Sequence, residues 1–355
     1  MTTPLLSLIA ERIAHTGPLS VADYMALALG HPEHGYYRTR DPLGQGGDFI
    51  TAPEISQMFG ELIGAWCAVM WRQMGSPSPL VLAELGPGRG TLMADALRAL
   101  RAIMPDFIDA ARIHLVETSP VLRHKQAQSL APIQPVWHDH WEELPRNMPL
   151  LLIANEFLDA LPIRQFVFRQ DGWRERMIGL DGNKLRFQDG PPATPEGAPL
   201  VAENAIFEVN EAAQSLARFL GERIAADGGA ALFIDYGHAR SAAGDSLQAV
   251  RRHATRSVLD DPGSSDITAH VDFEAFARAA RPARGWGPVP QGTFLTRLGI
   301  LERSAILERA RPDSALDTAS RCQRLIEPAE MGTLFKVLAL TDTSSPSPPG
   351  FDGCK

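Results

Sequence analysis

Glu84, Gly86, Gly88 and Gly90 stand at alternate positions between an apolar run, Leu80-Val81-Leu82-Ala83, and a helical pattern opened by Thr91 and Leu92. An acid followed by three glycines suits a strand that ends in a tight turn, where missing side chains let a ligand approach the backbone. The helix that follows supplies free N–H groups beside that ligand. The chemistry this supports is binding of a nucleotide-type cofactor. A phosphate-cradling loop requires Gly-Lys-Ser/Thr at its end, and Gly90-Thr91-Leu92 has no lysine. The dinucleotide spacing G-x-G-x-x-G asks for a small residue where Thr91 stands, so a nicotinamide cofactor fits only in part. The spacing acid-x-Gly-x-Gly-x-Gly is met at every position.

A second acid follows at a helix-length interval. Ile113-His114-Leu115-Val116-Glu117 reads as a short strand tipped by Glu117, where a carboxylate can accept both hydroxyls of a ribose. The plainer alternative is a solvated carboxylate that helps cap the helix opened by Thr118-Ser119-Pro120. Taken together, the glycine motif and the strand-tip acid resemble the first motifs of class I S-adenosylmethionine-dependent methyltransferases. The resemblance implies S-adenosylmethionine as cofactor, lying over residues 86–90 with its sugar held by Glu117.

In an open α/β sheet, ligands bind beyond the carboxyl ends of the strands. That edge gathers Glu84, Glu117, Asp139, Asn155, Glu156 and Asp235. Methyl transfer is an in-line displacement at a cationic sulfonium. The protein's share is therefore positioning and, for a nitrogen acceptor, holding or deprotonating it. Glu156 could do this by binding a guanidinium through both carboxylate oxygens, and Asp159 is the second candidate catalytic carboxylate. Against this stands a structural reading, in which Asn155 and Glu156 cap the next helix and Asp159 lies on its outer face. Thr51 and Glu54, at the start of an earlier helix, either favour its dipole or close over the cofactor. With Asp139 and Asn155 they complete the cofactor-side candidates. His31, Glu33 and His34 sit too close together in a turn to match a metal-ligand pattern.

These residues need a frame of alternating strands and helices, and the chain supplies one. Residues 1–30 read as two helices broken at Gly17-Pro18, and a long helix runs from Met58 to Met74. Strands are expected at the glycine motif and at 113–117, 134–137, 149–154, 230–234 and 335–340. Helices are expected at 120–129, 210–225 and 272–281. The run 149–154 is apolar throughout, as in a strand buried on both faces. Residues 163–208 interrupt the pattern with hairpin signals at Asp171-Gly172 and Asp181-Gly182-Asn183. Residues 239–270 form a long polar stretch of the kind that is functional or disordered.

The reading is an α/β class I methyltransferase fold: a mostly parallel Rossmann-like sheet with helices on both faces. Residues 1–78 are expected as a helical cap and lid, 79–162 and 209–341 as the core, 163–208 as a β-rich insertion lobe, and 342–355 as a disordered tail.

Composition narrows the function classes. A net charge of −8 argues against non-specific binding to nucleic acid or anionic membrane. No apolar run approaches the roughly 20 residues of a membrane-spanning helix. The three cysteines, Cys67, Cys322 and Cys354, have no metal or redox spacing. With no signal-peptide pattern or basic amphipathic presequence, cytoplasm is the expected location.

A narrower resemblance rests on motifs that occur in order: His31-Pro32-Glu33-His34-Gly35-Tyr36-Tyr37, the segment 47–56, Glu84 to Gly90, Asn155 to Pro162, Ile234-Asp235-Tyr236-Gly237 and Asp266-Ile267-Thr268-Ala269-His270-Val271-Asp272-Phe273. Across residues 5–340 the chain looks like the MidA-like family of methyltransferases, whose mitochondrial member is an assembly factor of respiratory complex I. The resemblance implies protein arginine N-methylation, symmetric dimethylation in that member, with a complex I subunit as substrate. The motif residues Tyr36, Asp48, Asp235, Asp266 and His270 are the substrate-side candidates. Asp266 and His270 could equally form the cap before helix 272–281. Two other classes stay open: an assembly protein that binds the cofactor with little turnover, and a nicotinamide-dependent oxidoreductase, which Thr91 disfavours. A homodimer also stays open.

Overall fold

Apolar runs too uniform for an amphipathic surface form the middle of the sheet. The computed structural model describes residues 3–39, 51–251 and 254–353. Its central sheet contains β1 (Leu80–Leu85), β2 (Ala111–Val116), β3 (Val136–His138), β4 (Leu150–Asn155), β5 (Gly229–His238), β6 (Val271–Asp272), β7 (Arg284–Pro290) and β8 (Phe335–Thr341). The order is β7-β8-β5-β4-β1-β2-β3, with β6 beside β5. Neighbours from β3 to β5 are parallel, and β8 runs antiparallel to both β5 and β7. This is the mostly parallel sheet that the sequence implied, and every residue of β1 and β4 is buried.

Both faces are covered by helices. On one side Gln57–Gln73 and Thr91–Ile103 pack with the C-terminal helices around Phe59, Ile63, Trp66 and Leu97. Each fully buried side chain of this size contributes about 1.5–3 kcal/mol. Helices Gln57–Gln73 and Thr91–Ile103 approach so closely that a Cβ on Gly64 would stand 2.7 Å from the Ala96 carbonyl oxygen. Buried Glu61 ties this layer together by accepting from Arg98 and Arg303. On the other side Glu211–Asp227 and Phe273–Ala279 cover β4 and β5.

Three segments differ from expectation. The polar stretch 239–270 carries strands Gln248–Arg251, Ala254–Arg256 and Asp266–Thr268, paired antiparallel in a small sheet. Ala249, Ile267 and Ala269, with half-buried Leu247, Val258 and Leu259, anchor it in an apolar cluster, and these apolar residues are too scattered to read as a pattern from sequence. The hairpin strands of 163–208 form an antiparallel sheet, and Leu19–Ser20 from the N-terminal region joins it. Cap and insertion therefore share a sheet and an apolar cluster (Leu5, Ile9, Tyr24, Ile163, Ile178). Finally, the tail expected to be disordered is held by Phe351, which is fully buried against Phe294.

Candidate active site

β1 ends at Leu85 and the chain turns through Gly86 and Gly88, with φ of +59° and +54°. Side chains other than glycine, asparagine and aspartate rarely adopt that backbone. The turn opens on a cavity of about 700 Å³, within the range of ligand sites. The cavity lies at the carboxyl ends of β1, β2, β4 and β5, beneath residues 25–37 and the 248–268 sheet.

The structure brings most of the expected residues to this cavity: Thr51, Glu54, Glu84, Gly86, Gly88, Glu117, Asp139, Asn155, Glu156, Asp159, Asp266 and His270 all line it. Among the described residues, three do not belong to that wall. Gly90 starts helix Thr91–Ile103 with φ +81°, and a Cβ there would meet Gln126, so it serves the turn's packing. Tyr36 is fully buried in the N-terminal cluster, while its neighbour Tyr37 faces the cavity. Asp235 is sealed beneath the cavity floor. Asp48 lies outside the described residues.

At one end stand Glu117, Asp139 and Trp141. Glu117 accepts the Ser119 N–H at 2.7 Å and the Gln126 amide at 3.2 Å, which leaves lone pairs on both oxygens. Asp139 accepts from Arg123 at 2.7 Å, and the same guanidinium donates to the Glu117 and His138 carbonyls. The tips of β2 and β3 are thereby fixed together. On the glycine-turn side, Thr91 donates to Glu54 at 2.6 Å, and Arg89 lies 3.8 Å from the same carboxylate. Helix Ala52–Ile55 is thus clipped to the turn. Glu84 is 2% exposed, one of its carboxyl oxygens has no hydrogen-bond partner among the described residues, and burial pushes its pKa up to about 8.

The other end is acidic. Glu156 has φ +51° and accepts the Ala52 N–H at 3.3 Å and the Asn155 amide at 3.1 Å. Burial and then nearby Asp159 raise its pKa to about 7. Asp159 is hydrogen-bonded by the Tyr236 hydroxyl, burial raises its pKa to about 6, and its Oδ1 has no partner among the described residues. Tyr37 donates to Asp266 at 2.7 Å, and the His270 ring meets Tyr236 edge-on at 5.6 Å. Among the described residues, no arginine or lysine forms an ion pair with Glu156 or Asp159. A cluster of this kind favours a cationic guest.

Asp235 was expected to touch substrate. It instead organises the 156–159 turn: Oδ2 accepts the N–H groups of Phe157, Leu158 and Asp159 at 2.9–3.2 Å, and Oδ1 that of Tyr236. The helix-capping alternative for Asn155 and Glu156 does not apply, because the chain enters a turn rather than a helix. Replacing Asp235 by alanine strands four backbone donors, two buried and two half-buried; a buried one costs about 1–3 kcal/mol when unpaired, offset in part by relief of a buried charge. Asp235→Ala is expected to lower the urea midpoint by an amount equivalent to about 3 kcal/mol; an unchanged midpoint would contradict this role.

Sequence reasoning missed Tyr37, Gln126, Trp141, Tyr236, Gln248 and Thr268. The Tyr36-Tyr37 pair stands out in the sequence, but which tyrosine faces inward depends on the fold around it. The others sit in motifs, helices or a short polar strand whose spacing carries no sign of the cavity.

Comparisons with known proteins agree with this geometry. A family model described as S-adenosyl-L-methionine-dependent methyltransferase matches residues 62–289. The chain is 38% identical to the Danio rerio protein arginine methyltransferase NDUFAF7, mitochondrial, over 96% of this chain and 87% of that protein. It is 37% identical to the Homo sapiens protein of the same name, over 95% and 83%. A crystal structure from Burkholderia thailandensis bound to S-adenosyl-homocysteine superposes with a TM-score of 0.87 at 29% identity, covering 99% of this chain and 95% of that one. The expectation of a cytoplasmic location is corrected by the relatives, whose names are mitochondrial.

Proposed function

The chain belongs to the S-adenosyl-L-methionine-dependent methyltransferase family whose model it matches, and from that premise we propose that it methylates a guanidinium nitrogen of arginine in a protein substrate. Its cofactor is S-adenosylmethionine, and the nicotinamide alternative is set aside. The observation that carries the arginine reading is the buried carboxyl pair Glu156 and Asp159, opening on the same cavity as the glycine turn. The names of the relatives support it.

The residues present fit the cofactor. Glu84 lines the cavity with a buried carboxyl oxygen that has no partner among the described residues, the complement of an amino-acid ammonium. Glu117 has acceptor capacity for sugar hydroxyls, and Trp141, Val116 and Leu122 offer an apolar wall for a base. When bound, the cofactor supplies a methyl group on a cationic sulfonium.

The chain's own residues do the rest. Glu156 and Asp159 hold the guanidinium through charge-assisted hydrogen bonds and fix which nitrogen faces the methyl donor. The Tyr236 hydroxyl and the Asp235-bound turn keep both carboxyls in place. The carboxyl pair also accepts the proton that the nitrogen loses. Incubating the protein with isotopically labelled S-adenosylmethionine, arginine peptides and their lysine counterparts tests this. Label recovered on arginine is expected; label on lysine alone would overturn it. The complex I subunit implied by the family resemblance is the first protein substrate to try.

The Glu84 reading has a pH signature. Its pKa is about 8 in the folded chain against an ordinary 4.5, so the folded chain holds a proton that the unfolded chain releases. Stability from this group is full below about 4.5 and is lost as pH rises through about 8. A cationic ligand beside Glu84 offsets that loss. The thermal shift given by S-adenosylhomocysteine should therefore grow from pH 6 to pH 8 in the wild type and grow less in Glu84→Gln. Equal growth in both would contradict it.

A further inference from the structure

The helix Pro120–Leu130 carries a fully buried amide, Gln126, whose polar atoms are all engaged. Its Nε2 donates to the Gly88 carbonyl at 2.8 Å and to the Glu117 carboxylate at 3.2 Å. Its Oε1 accepts from the Trp137 indole at 2.8 Å. Both donors and the acceptor are thus committed, and the indole bond fixes which way the amide faces. The two groups it joins are the glycine turn and the tip of β2. One lies under the cofactor and the other carries the acid for its sugar.

We infer that Gln126 is a positioning residue for cofactor binding, locking Glu117 and the Gly88 peptide into one preformed surface. It lies behind that surface and does not line the cavity. The inference rests on the proposed placement of the cofactor sugar at Glu117. A preformed acceptor avoids the ordering cost that a loose carboxylate would meet on binding. Glutamine is suited to this place because it donates twice without adding charge beside a carboxylate.

The test measures S-adenosylhomocysteine affinity by calorimetry for the wild type, Gln126→Met and Trp137→Phe, each also with the 2′-deoxy analogue. Methionine keeps the volume and removes both donors; the Trp137 variant removes only the bond that orients the amide. Gln126→Met should weaken affinity about tenfold to a hundredfold, the range for hydrogen bonds to charged groups, and Trp137→Phe about threefold to fivefold. At saturating cofactor, kcat should stay within about threefold while KM rises. Removing the sugar hydroxyl should cost less in Gln126→Met than in the wild type, because the two changes act through one contact. A merely structural glutamine would lower the melting temperature and leave these ratios unchanged. Should Gln126→Met not fold, wild-type affinity in Trp137→Phe overturns the inference. A wild type that binds but is insensitive to the missing hydroxyl would instead refute the placement of the sugar at Glu117.

Discussion

Gly88→Val is expected to yield a folded protein that binds S-adenosylhomocysteine at least about a hundredfold more weakly. Gly88 lines the cavity with φ +54°, where a β-branched residue is strained by about 1–3 kcal/mol. The strain would be relieved by rotating the peptide whose carbonyl Gln126 holds, so the turn's surface changes even before the side chain is considered. The isopropyl group then takes space on the cavity wall itself. Both effects fall on the turn, while β1 behind it stays packed between β2 and β4. Calorimetry together with a melting curve separates lost binding from lost folding. A folded variant with wild-type affinity would remove the cofactor from the glycine turn.

Glu156→Gln is expected to reduce methyl transfer on the order of 10²-fold and to leave cofactor affinity within about threefold of the wild type. Glutamine keeps the shape of the side chain and removes the charge proposed to hold a guanidinium and the site proposed to take its proton. Because burial and Asp159 raise this carboxyl to about 7, it is protonated and idle below that pH in the free protein. The wild-type kcat/KM should therefore rise as pH increases through about 6–7, and the variant should lose much of that rise. Unchanged turnover would make Glu156 a structural residue, with its strained backbone serving only to anchor Ala52.

The parts of the site legible in the sequence are those whose chemistry is written in local spacing. Glu84, Gly86 and Gly88 occupy a strand end and a turn, and no distant residue is needed to recognise them. Glu117 and Asn155-Glu156 follow apolar runs whose burial is plain, and the topology of a parallel sheet brings their ends together.

What stayed hidden depends on contacts far apart in the chain. Asp235 also ends an apolar run, so it read as a cavity residue. Only the fold shows that the 156–159 turn folds over it and uses its oxygens. Gln126 sits on a helix with little apolar periodicity, and its importance comes from Gly88, Glu117 and Trp137, the nearest of them nine positions away. The strands at 248–268 are short and polar, and they exist because they pair with each other and rest on the N-terminal cluster. Residues 342–353 lack any period, yet Phe351 against Phe294 and the Arg297 bond to the Gly350 carbonyl hold them in place. Tertiary burial of isolated side chains leaves no pattern in a linear reading.

The most direct test of the account is a crystal structure with S-adenosylhomocysteine bound. The sugar hydroxyls are expected on Glu117, the amino-acid end toward Glu84 over Gly86 and Gly88, and the sulfur facing the Glu156 and Asp159 carboxyls. A ligand bound away from residues 84–90, or one whose sulfur points away from Glu156, would contradict it.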